Sequence, residues 1–170
     1  MELKQKKLQK IKMLVLDVDG VMTDCRIFLD SNGEWKRFFC IRDGVGIKRL
    51  QEHGYKTAVI TGSATTDIRA RVKSLGIHYF YEGALDKEPS FQKLIQESGL
   101  QPDQMAYMGD DIFDIPLLKK VGFAATVPEA VDEVLECVDF VSKRGGGQGA
   151  IRELADLVFK HGAYSKEKTP

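Results

Sequence analysis

Six short, mostly apolar runs recur along the chain, and segments with apolar residues at helical spacing lie between most of them. The runs cover residues 13–16, 57–60, 78–81, 105–108, 123–126 and 139–141. Apolar runs of this length are typical of strands that are buried on both faces of a parallel sheet. Their alternation with helices predicts a doubly wound α/β sandwich with right-handed crossovers, in a single domain that spans residues 1–170.

Glycines mark the predicted ends of several helices. We expect a helix capped by Asp43 to end before Gly54, and a helix capped by Ser63 to stop at Gly76. A helix that opens at Asp86-Lys87 is expected to reach Gly99. Further helices are predicted over the lysine-rich start, before Gly122 with Asp114 inside it, at about residues 129–136 and at about residues 151–160.

Residues 25–40 are predicted to form a hairpin, because Asn32-Gly33 lies between two β-rich runs and favours a type I′ turn. With these two residues as the loop, Phe28 lies opposite Arg37. Apolar residues then fall on both faces, which a small hairpin cannot bury within its own domain. Either another subunit covers one face, or the hairpin folds over the edge of the sheet.

Composition and charge exclude several classes of protein. The 25 basic residues balance the 25 acidic residues, so the domain has no overall field to attract nucleic acid. No apolar segment resembles a signal peptide or could span a membrane, so we expect a cytoplasmic protein without a membrane partner. The three cysteines lack C-x-x-C spacing, which argues against structural zinc and fits reduced thiols.

Two carboxylates, Asp17 and Asp19, directly follow the first apolar run, and Gly20 comes next. Ligands of open α/β sheets bind just beyond the carboxyl ends of the strands, so both acids are expected at the mouth of a crevice. Two carboxylates this close repel each other when both are ionised and unpaired. A divalent cation or a shared proton relieves this repulsion. Taken alone, the motif also fits a turn in which an aspartate caps the next element.

Three later strand ends carry polar residues as well, and these ends converge at one edge of a parallel sheet. Thr61 and Gly62 follow the second strand, Lys87 follows the third, and Asp110 follows the fourth. The Thr61 hydroxyl and the Gly62 amide can hold the oxygens of an anion, and Lys87 can neutralise its charge. A lone lysine after an aspartate is otherwise an ordinary surface residue.

The acids at these strand ends predict a metal site. Asp17, Asp110 and a backbone carbonyl near Asp19 supply the hard oxygen ligands that Mg²⁺ prefers. Asp111 and Asp114 are assigned to orienting these ligands or holding waters, although either could instead cap the helix that begins there.

Together these groups describe a phosphoryl-transfer site. Asp17 is the predicted nucleophile and forms an aspartyl-phosphate. Asp19 is predicted to protonate the leaving alkoxide and then to deprotonate the water that hydrolyses the intermediate.

Four stretches match, in order, the motifs of the haloacid dehalogenase superfamily, which this chain resembles. They are Asp17-Val18-Asp19-Gly20, Thr61-Gly62, Lys87 and Gly109-Asp110-Asp111. The resemblance implies the Rossmann-like fold of that superfamily and a Mg²⁺-dependent hydrolase, and the second acid is similar to its phosphatase and phosphomutase branches. No segment is long enough for a cap domain, so the small hairpin is expected to take its place.

Residues 42–47, 107–111 and 144–153 further resemble the family of phosphatases that act on 3-deoxy-D-manno-octulosonate 8-phosphate, and the likeness runs from about residue 11 to residue 160. It implies a sugar-acid phosphate as substrate, a role in lipopolysaccharide biosynthesis, and a homotetramer whose hairpins pack together while a neighbouring subunit helps to close each site. The substrate contacts that it implies are Cys40, Ile41, Arg42, Asp43, Gly44, Lys48, Ser63, Arg71 and Lys87.

Two positions depart from that family, since Lys48 and Ser63 stand where its members usually carry arginine. Lysine keeps the charge without the bidentate fork, and serine loses both. Related phosphatases of nine-carbon sugar-acid 9-phosphates also differ at the position of Ser63, so such a substrate is the alternative.

Two interpretations of another class stay open at this stage. A receiver-like signalling module also uses clustered acids, a threonine and a lysine. It carries the acid pair on its first strand and the phosphorylated aspartate on its third, whereas this chain has the predicted nucleophile Asp17 after its first strand and the pair Asp110-Asp111 late in the chain. A catalytically silent oligomerisation module does not need the complete set of acids, threonine and lysine that this chain has.

Overall fold

The computed structural model describes residues 2–164, which form a six-stranded parallel sheet, flanking helices and a two-stranded hairpin. The strands are β1 (Met13–Leu16), β2 (Phe28–Leu29), β3 (Trp35–Lys36), β4 (Lys56–Ile60), β5 (Tyr79–Tyr81), β6 (Met105–Met108), β7 (Phe123–Thr126) and β8 (Phe140–Val141). The helices are α1 (Glu2–Leu8), α2 (Ile41–Glu52), α3 (Thr66–Leu75), α4 (Glu88–Ser98), α5 (Ile115–Leu118), α6 (Asp132–Leu135) and α7 (Ala150–His161).

The large sheet has the strand order β5-β4-β1-β6-β7-β8, and every neighbouring pair is parallel. In β1, β6 and β7 all four residues are buried, as expected for strands covered on both faces. The predicted α/β fold with a parallel sheet and a small hairpin is confirmed.

The position of β1 in the sheet creates the crevice. The chain moves from β1 to β4 and β5 on one side, and later returns to β6, β7 and β8 on the other side. This reversal is a topological switch point, where open α/β sheets bind their ligands. The loops after β1, β4 and β6 therefore meet at one edge of the sheet.

The predicted helix ends agree with the structure better than the predicted starts. Gly76 and Gly99 adopt the left-handed conformation directly after α3 and α4. The caps were wrong: α2 begins after Cys40, with Asp43 buried in its first turn, and α3 begins after Thr65. Asp43 instead accepts the backbone N–H of Arg152 in α7 at 2.8 Å, a contact distant in sequence.

The predicted two-residue turn of the hairpin is also wrong. Phe28 pairs with Lys36 rather than with Arg37, so the loop has three residues and the register is shifted by one. The cause is Asp30, whose carboxylate accepts the backbone N–H groups of Asn32 and Glu34 at 2.8 and 2.9 Å. This bonding stabilises a longer turn, which is a common alternative for hairpins with glycine at the left-handed position.

No helix in the described part of the chain is long and apolar enough to cross a membrane.

Candidate active site

Asp17 continues β1 into the crevice. Its backbone N–H donates to the carbonyl of Met108 at 3.0 Å, which extends the ladder between β1 and β6 by one bond. The residue is buried, and the ammonium of Lys87 lies 2.8 Å from its Oδ1. The predicted nucleophile is therefore fixed by a strand on one side and by a cation on the other.

Lys87 lies just before α4 and is almost completely buried, so the interpretation as a surface lysine is excluded. Its Nζ donates to Asp114 Oδ1 at 2.6 Å and to the Tyr107 hydroxyl at 3.3 Å, in addition to Asp17. Burial alone lowers the pKa of Lys87, but the carboxylates of Asp17 and Asp114 outweigh it and raise the pKa. The lysine is consequently a permanent cation on the floor of the crevice.

Asp114 shapes the turn after β6. Its Oδ2 accepts the backbone N–H groups of Asp110 and Asp111 at 2.9 and 3.1 Å. A side chain on Gly109 would overlap Asp114, because a Cβ there would lie 2.4 Å from its Cγ. Asp111 caps the following 3-10 turn by accepting the N–H of Ile112 at 2.6 Å, as one of the two interpretations expected.

The carboxylates of Asp17, Asp110 and Asp114 are arranged as a candidate metal centre, with one oxygen of each within 4.8 Å of the others. The oxygens of Asp114 already accept bonds from Lys87, Tyr107 and two backbone amides. Asp110 Oδ1, in contrast, is buried and has no hydrogen-bond partner within the described chain. Asp17 and Asp110 thus have oxygens to offer a hard cation such as Mg²⁺, and Asp114 positions them.

The electrostatics of the same acids favour a cation. Burial, followed by repulsion from Asp114, raises the pKa of Asp17 to about 7 despite the attraction of Lys87. Burial, followed by repulsion from Asp17 and Asp114, raises the pKa of Asp110 to about 8. A divalent ion bound between Asp17 and Asp110 would relieve both effects at neutral pH.

The loop after β4 supplies hydrogen-bond donors. Thr61 is buried, and its hydroxyl accepts the backbone N–H of Ser63 at 3.2 Å. Ser63, which does not cap α3, donates its hydroxyl to Asp19 Oδ2 at 2.8 Å. Gly62 lies between them and lines a cavity at this edge of the sheet.

Asp19 occupies the mouth of this cavity, which has a volume of about 250 Å³. Its carboxylate receives the guanidinium of Arg37 from the hairpin, with Nε 2.5 Å from Oδ1 and Nη2 3.2 Å from Oδ2. The cavity is lined by Asp17, Asp19, Cys25, Thr61, Gly62, Ser63, Ala84, Leu85, Lys87, Asp110, Asp111, Phe113 and Asp114. All the predicted catalytic, phosphate-binding and metal-binding residues therefore meet at one place.

Several members of the site were missed from the sequence. Tyr107 lies inside an apolar strand, and its hydroxyl bonds Lys87 and Asp114. Cys25, Leu85 and Phe113 line the cavity without belonging to any motif. The only local signal for Tyr107 was a hydroxyl-bearing residue just before the end of β6, whereas the others depend on loop conformation.

Most of the implied substrate contacts lie elsewhere on this chain. Arg42 lines a separate cleft together with Arg144 and Arg152, and Ile41, Gly44, Lys48 and Arg71 line a third one. Arg71 donates to the carbonyl of Cys40 at 2.9 Å and so supports the start of α2. Of the implied contacts, Ser63 and Lys87 face the cavity, and the role of every member of the set in binding substrate stays a prediction.

The glycine-rich loop at residues 145–149 packs behind the same site. A Cβ on Gly146 would lie 1.9 Å from the carbonyl oxygen of Gly20, so a side chain cannot fit there. The N–H of Gly147 donates to the carbonyl of Val21 at 3.0 Å. The loop thereby supports the turn that follows Asp19.

An aspartate nucleophile candidate at the end of the central strand, a buried lysine and a carboxylate metal centre define a haloacid dehalogenase-like hydrolase. The sequence profile of the haloacid dehalogenase-like hydrolases matches residues 41–122.

Proteins similar over nearly the whole chain narrow this class. The chain is 39% identical over 156 residues to 3-deoxy-D-manno-octulosonate 8-phosphate phosphatase KdsC of Haemophilus influenzae, covering 92% of this chain and 87% of that protein. It is 37% identical over 152 residues to KdsC of Escherichia coli strain K12, covering 89% and 81%. The chain belongs to the KdsC family of haloacid dehalogenase-like phosphatases.

A solved structure agrees with this assignment. It is the 3-deoxy-D-manno-octulosonate 8-phosphate phosphatase from Moraxella catarrhalis, in complex with a magnesium ion, a phosphate ion and KDO. That structure superposes on this chain with a TM-score of 0.93. The sequences are 30% identical, and the superposition covers 98% of this chain and 96% of that one.

The raised pKa of Asp110 yields a prediction about stability. Burial raises the pKa of the Asp110 carboxyl from 3.8 to about 8 in the folded protein. At pH values between these two, the unfolded chain has lost this proton while the folded chain still holds it. Rising pH therefore destabilises the metal-free fold. We expect Asp110→Asn without Mg²⁺ to have a higher Tm than the wild type at pH 8, and the difference to shrink toward pH 4. Differential scanning calorimetry across this range measures both Tm values.

The isosteric change Asp103→Asn is the control, because it removes the charge of an exposed carboxylate that is paired with Lys10 and lies outside the acidic cluster. It should leave the Tm close to that of the wild type. An Asp110→Asn variant that melts below the wild type at pH 8 without Mg²⁺ would contradict the electrostatic argument.

Proposed function

We propose that this protein hydrolyses 3-deoxy-D-manno-octulosonate 8-phosphate to the free sugar acid and phosphate, with an aspartyl-phosphate on Asp17 as intermediate. The observation that carries the proposal is that Asp17, Lys87 and Thr61 face one cavity, at the switch point of a chain similar to KdsC phosphatases over 92% of its length. A role in lipopolysaccharide biosynthesis and a cytoplasmic location follow from that substrate.

In the first half-reaction, a carboxylate oxygen of Asp17 attacks the phosphorus, and the bond from phosphorus to the sugar oxygen breaks. Lys87, the Thr61 hydroxyl and the Gly62 amide bind the oxygens of the transferring group, whose charge is spread over them in the transition state. Asp19, at the cavity mouth, gives its proton to the leaving alkoxide.

In the second half-reaction, a water attacks the phosphorus on Asp17, and the electron pair of the breaking bond returns to the Asp17 carboxylate. Asp19 now accepts the proton of that water and is ready for the next turnover. When bound by Asp17, Asp110 and a carbonyl near Asp19, Mg²⁺ supplies positive charge to the phosphoryl oxygens. Asp111 and Asp114 hold this arrangement in place.

We also propose that the protein assembles as a homotetramer through the hairpin. Large apolar side chains are exposed on it and just beyond it, with Phe38 69% and Ile41 79% exposed. Phe28 and Phe38 stack at a centroid distance of 5.1 Å without being buried by the rest of the chain. An exposed apolar surface of this kind is typical of a subunit interface. In such an assembly, Cys40, Arg42 and Lys48 can contact the active site of a neighbouring subunit.

Substrate identity is tested first by phosphate release with Mg²⁺ from a panel of phosphate esters. The panel holds the eight-carbon acid phosphate, a nine-carbon sugar-acid 9-phosphate and simple hexose phosphates. We expect the highest kcat/KM for the eight-carbon acid. Preference for the nine-carbon acid would keep the chemistry and assign Ser63 to specificity. No release from any ester would favour the silent oligomerisation module.

The nucleophile is tested by Asp17→Asn, which removes the attacking oxygen while keeping the size of the side chain. Turnover should fall to background, since no aspartyl-phosphate can form. The matched control is Asp103→Asn, which removes a charge from an exposed carboxylate paired with Lys10 and should leave kcat unchanged. Acid quenching should trap phosphorylated wild-type protein and none of Asp17→Asn. Stable phosphorylation without turnover in the wild type would favour the receiver-like module.

Assembly through the hairpin is tested with Phe38→Glu. Light scattering should give the mass of four chains for the wild type and a smaller species for the variant, because a charge cannot be buried in an apolar interface without cost. Leu3→Glu is the matched control, since Leu3 is 72% exposed on α1, outside the hairpin. A monomeric wild type, or an unchanged mass for Phe38→Glu, would contradict the proposed interface.

A further inference from the structure

One cation of the hairpin contacts the active-site carboxylate of Asp19. Arg37 follows β3, and its side chain is only 6% exposed, although much of the surrounding hairpin is exposed. Its guanidinium forms a two-point contact with Asp19, in which Nε and Nη2 each meet a different carboxylate oxygen. Such fork-shaped contacts fix direction as well as distance.

The other side of the guanidinium is anchored to the start of α3. Nη1 donates to the Thr65 hydroxyl at 3.0 Å and lies 3.4 Å from both oxygens of Asp67. Asp67 is itself held, since it accepts the Thr65 hydroxyl at 2.5 Å and the backbone N–H of Ile68 at 2.9 Å. Arg37 therefore connects the start of α3 to the Asp19 carboxylate at the cavity mouth.

Ser63 completes this support. It donates its hydroxyl to Asp19 Oδ2 at 2.8 Å and accepts Nη2 of Arg37 at 3.1 Å. Asp19 Oδ2 thus has two donors, whereas Oδ1 has the Nε of Arg37 and keeps a second lone-pair direction. That direction is available for the proton that Asp19 exchanges with the alkoxide or the water.

We propose that Arg37 is a positioning residue that holds the Asp19 carboxylate in the orientation for proton transfer. The inference rests on the proposed function of Asp19 as general acid and base. Arg37 acts through Asp19 and not through the phosphoryl group, because it bonds Asp19 directly but is not among the residues that line the cavity. A side chain misplaced by about 1 Å can cost about 100-fold in rate, so this support matters for turnover.

The test compares two substrates that need the proton of Asp19 to different degrees. A sugar phosphate leaves as a basic alkoxide and needs the acid, whereas p-nitrophenyl phosphate leaves as a stable phenolate and does not. For Arg37→Ala we expect kcat/KM to fall about 10- to 100-fold with the sugar phosphate and to change little with the aryl phosphate. The kcat for the aryl phosphate should still fall, and acid-quenched phosphoenzyme should accumulate, because hydrolysis of the intermediate needs Asp19 as base.

Two further variants separate positioning from other roles. Arg37→Lys keeps the charge without the fork and should recover part of the lost sugar-phosphate activity. Lys36→Ala is the matched control, since this neighbouring cation bonds Glu34 and Thr66 in the described structure and should leave both kcat/KM values unchanged.

Equal losses of kcat/KM with both substrates, a rise in KM with unchanged kcat, or the same loss in Lys36→Ala would overturn the proposal. The sugar phosphate can be any ester of the panel that the wild type hydrolyses. A wild type that hydrolyses a different ester from the eight-carbon acid would thus correct the proposed substrate and leave the test of Arg37 intact.

Discussion

The site depends on one buried interaction, the placement of the Lys87 ammonium between the carboxylates of Asp17 and Asp114. Removing charges from water costs several kcal/mol per ion, and this cost is offset only where partners are close and well oriented. Lys87 has both partners within 2.8 Å. One ammonium cannot balance three carboxylates, so when Asp17, Asp110 and Asp114 are all ionised the cluster has an excess of negative charge. That excess makes the same group of residues both a phosphoryl-transfer site and a site for a divalent cation.

The topology of the sheet makes this interaction possible. Asp17, Lys87 and Asp114 are separated by 70 and 27 positions along the chain, yet the reversal of strand order at β1 brings their loops to one edge. Parallel strands buried on both faces leave little room for charged groups except at their ends. The apolar composition of the strands therefore also determines where the acids can lie.

The sheet and the motif residues were predictable because each depends on a local pattern. A buried strand that is followed by two acids, or by Thr61-Gly62, can be recognised from a few consecutive residues. Helix ends at glycine were predictable for the same reason. The starts of α2 and α3 were not, because Asp43 bonds α7 and Ser63 bonds Asp19 across long sequence separations. The hairpin register likewise depended on the carboxylate of Asp30, which competes with the usual preference of Asn-Gly.

Arg37 shows the limit of reading a site from motifs alone. Its environment in the sequence, between Lys36 and Phe38, is that of an exposed hairpin. Its burial comes from contacts with Asp19 in the loop after β1 and with Ser63, Thr65 and Asp67 in the loop after β4 and the first turn of α3. The hairpin thus has two surfaces with different chemistry, an apolar one that faces away from the chain and a cationic one that closes on the active site. A change in how the hairpin is packed would consequently reach the acid and base of the reaction through a single guanidinium.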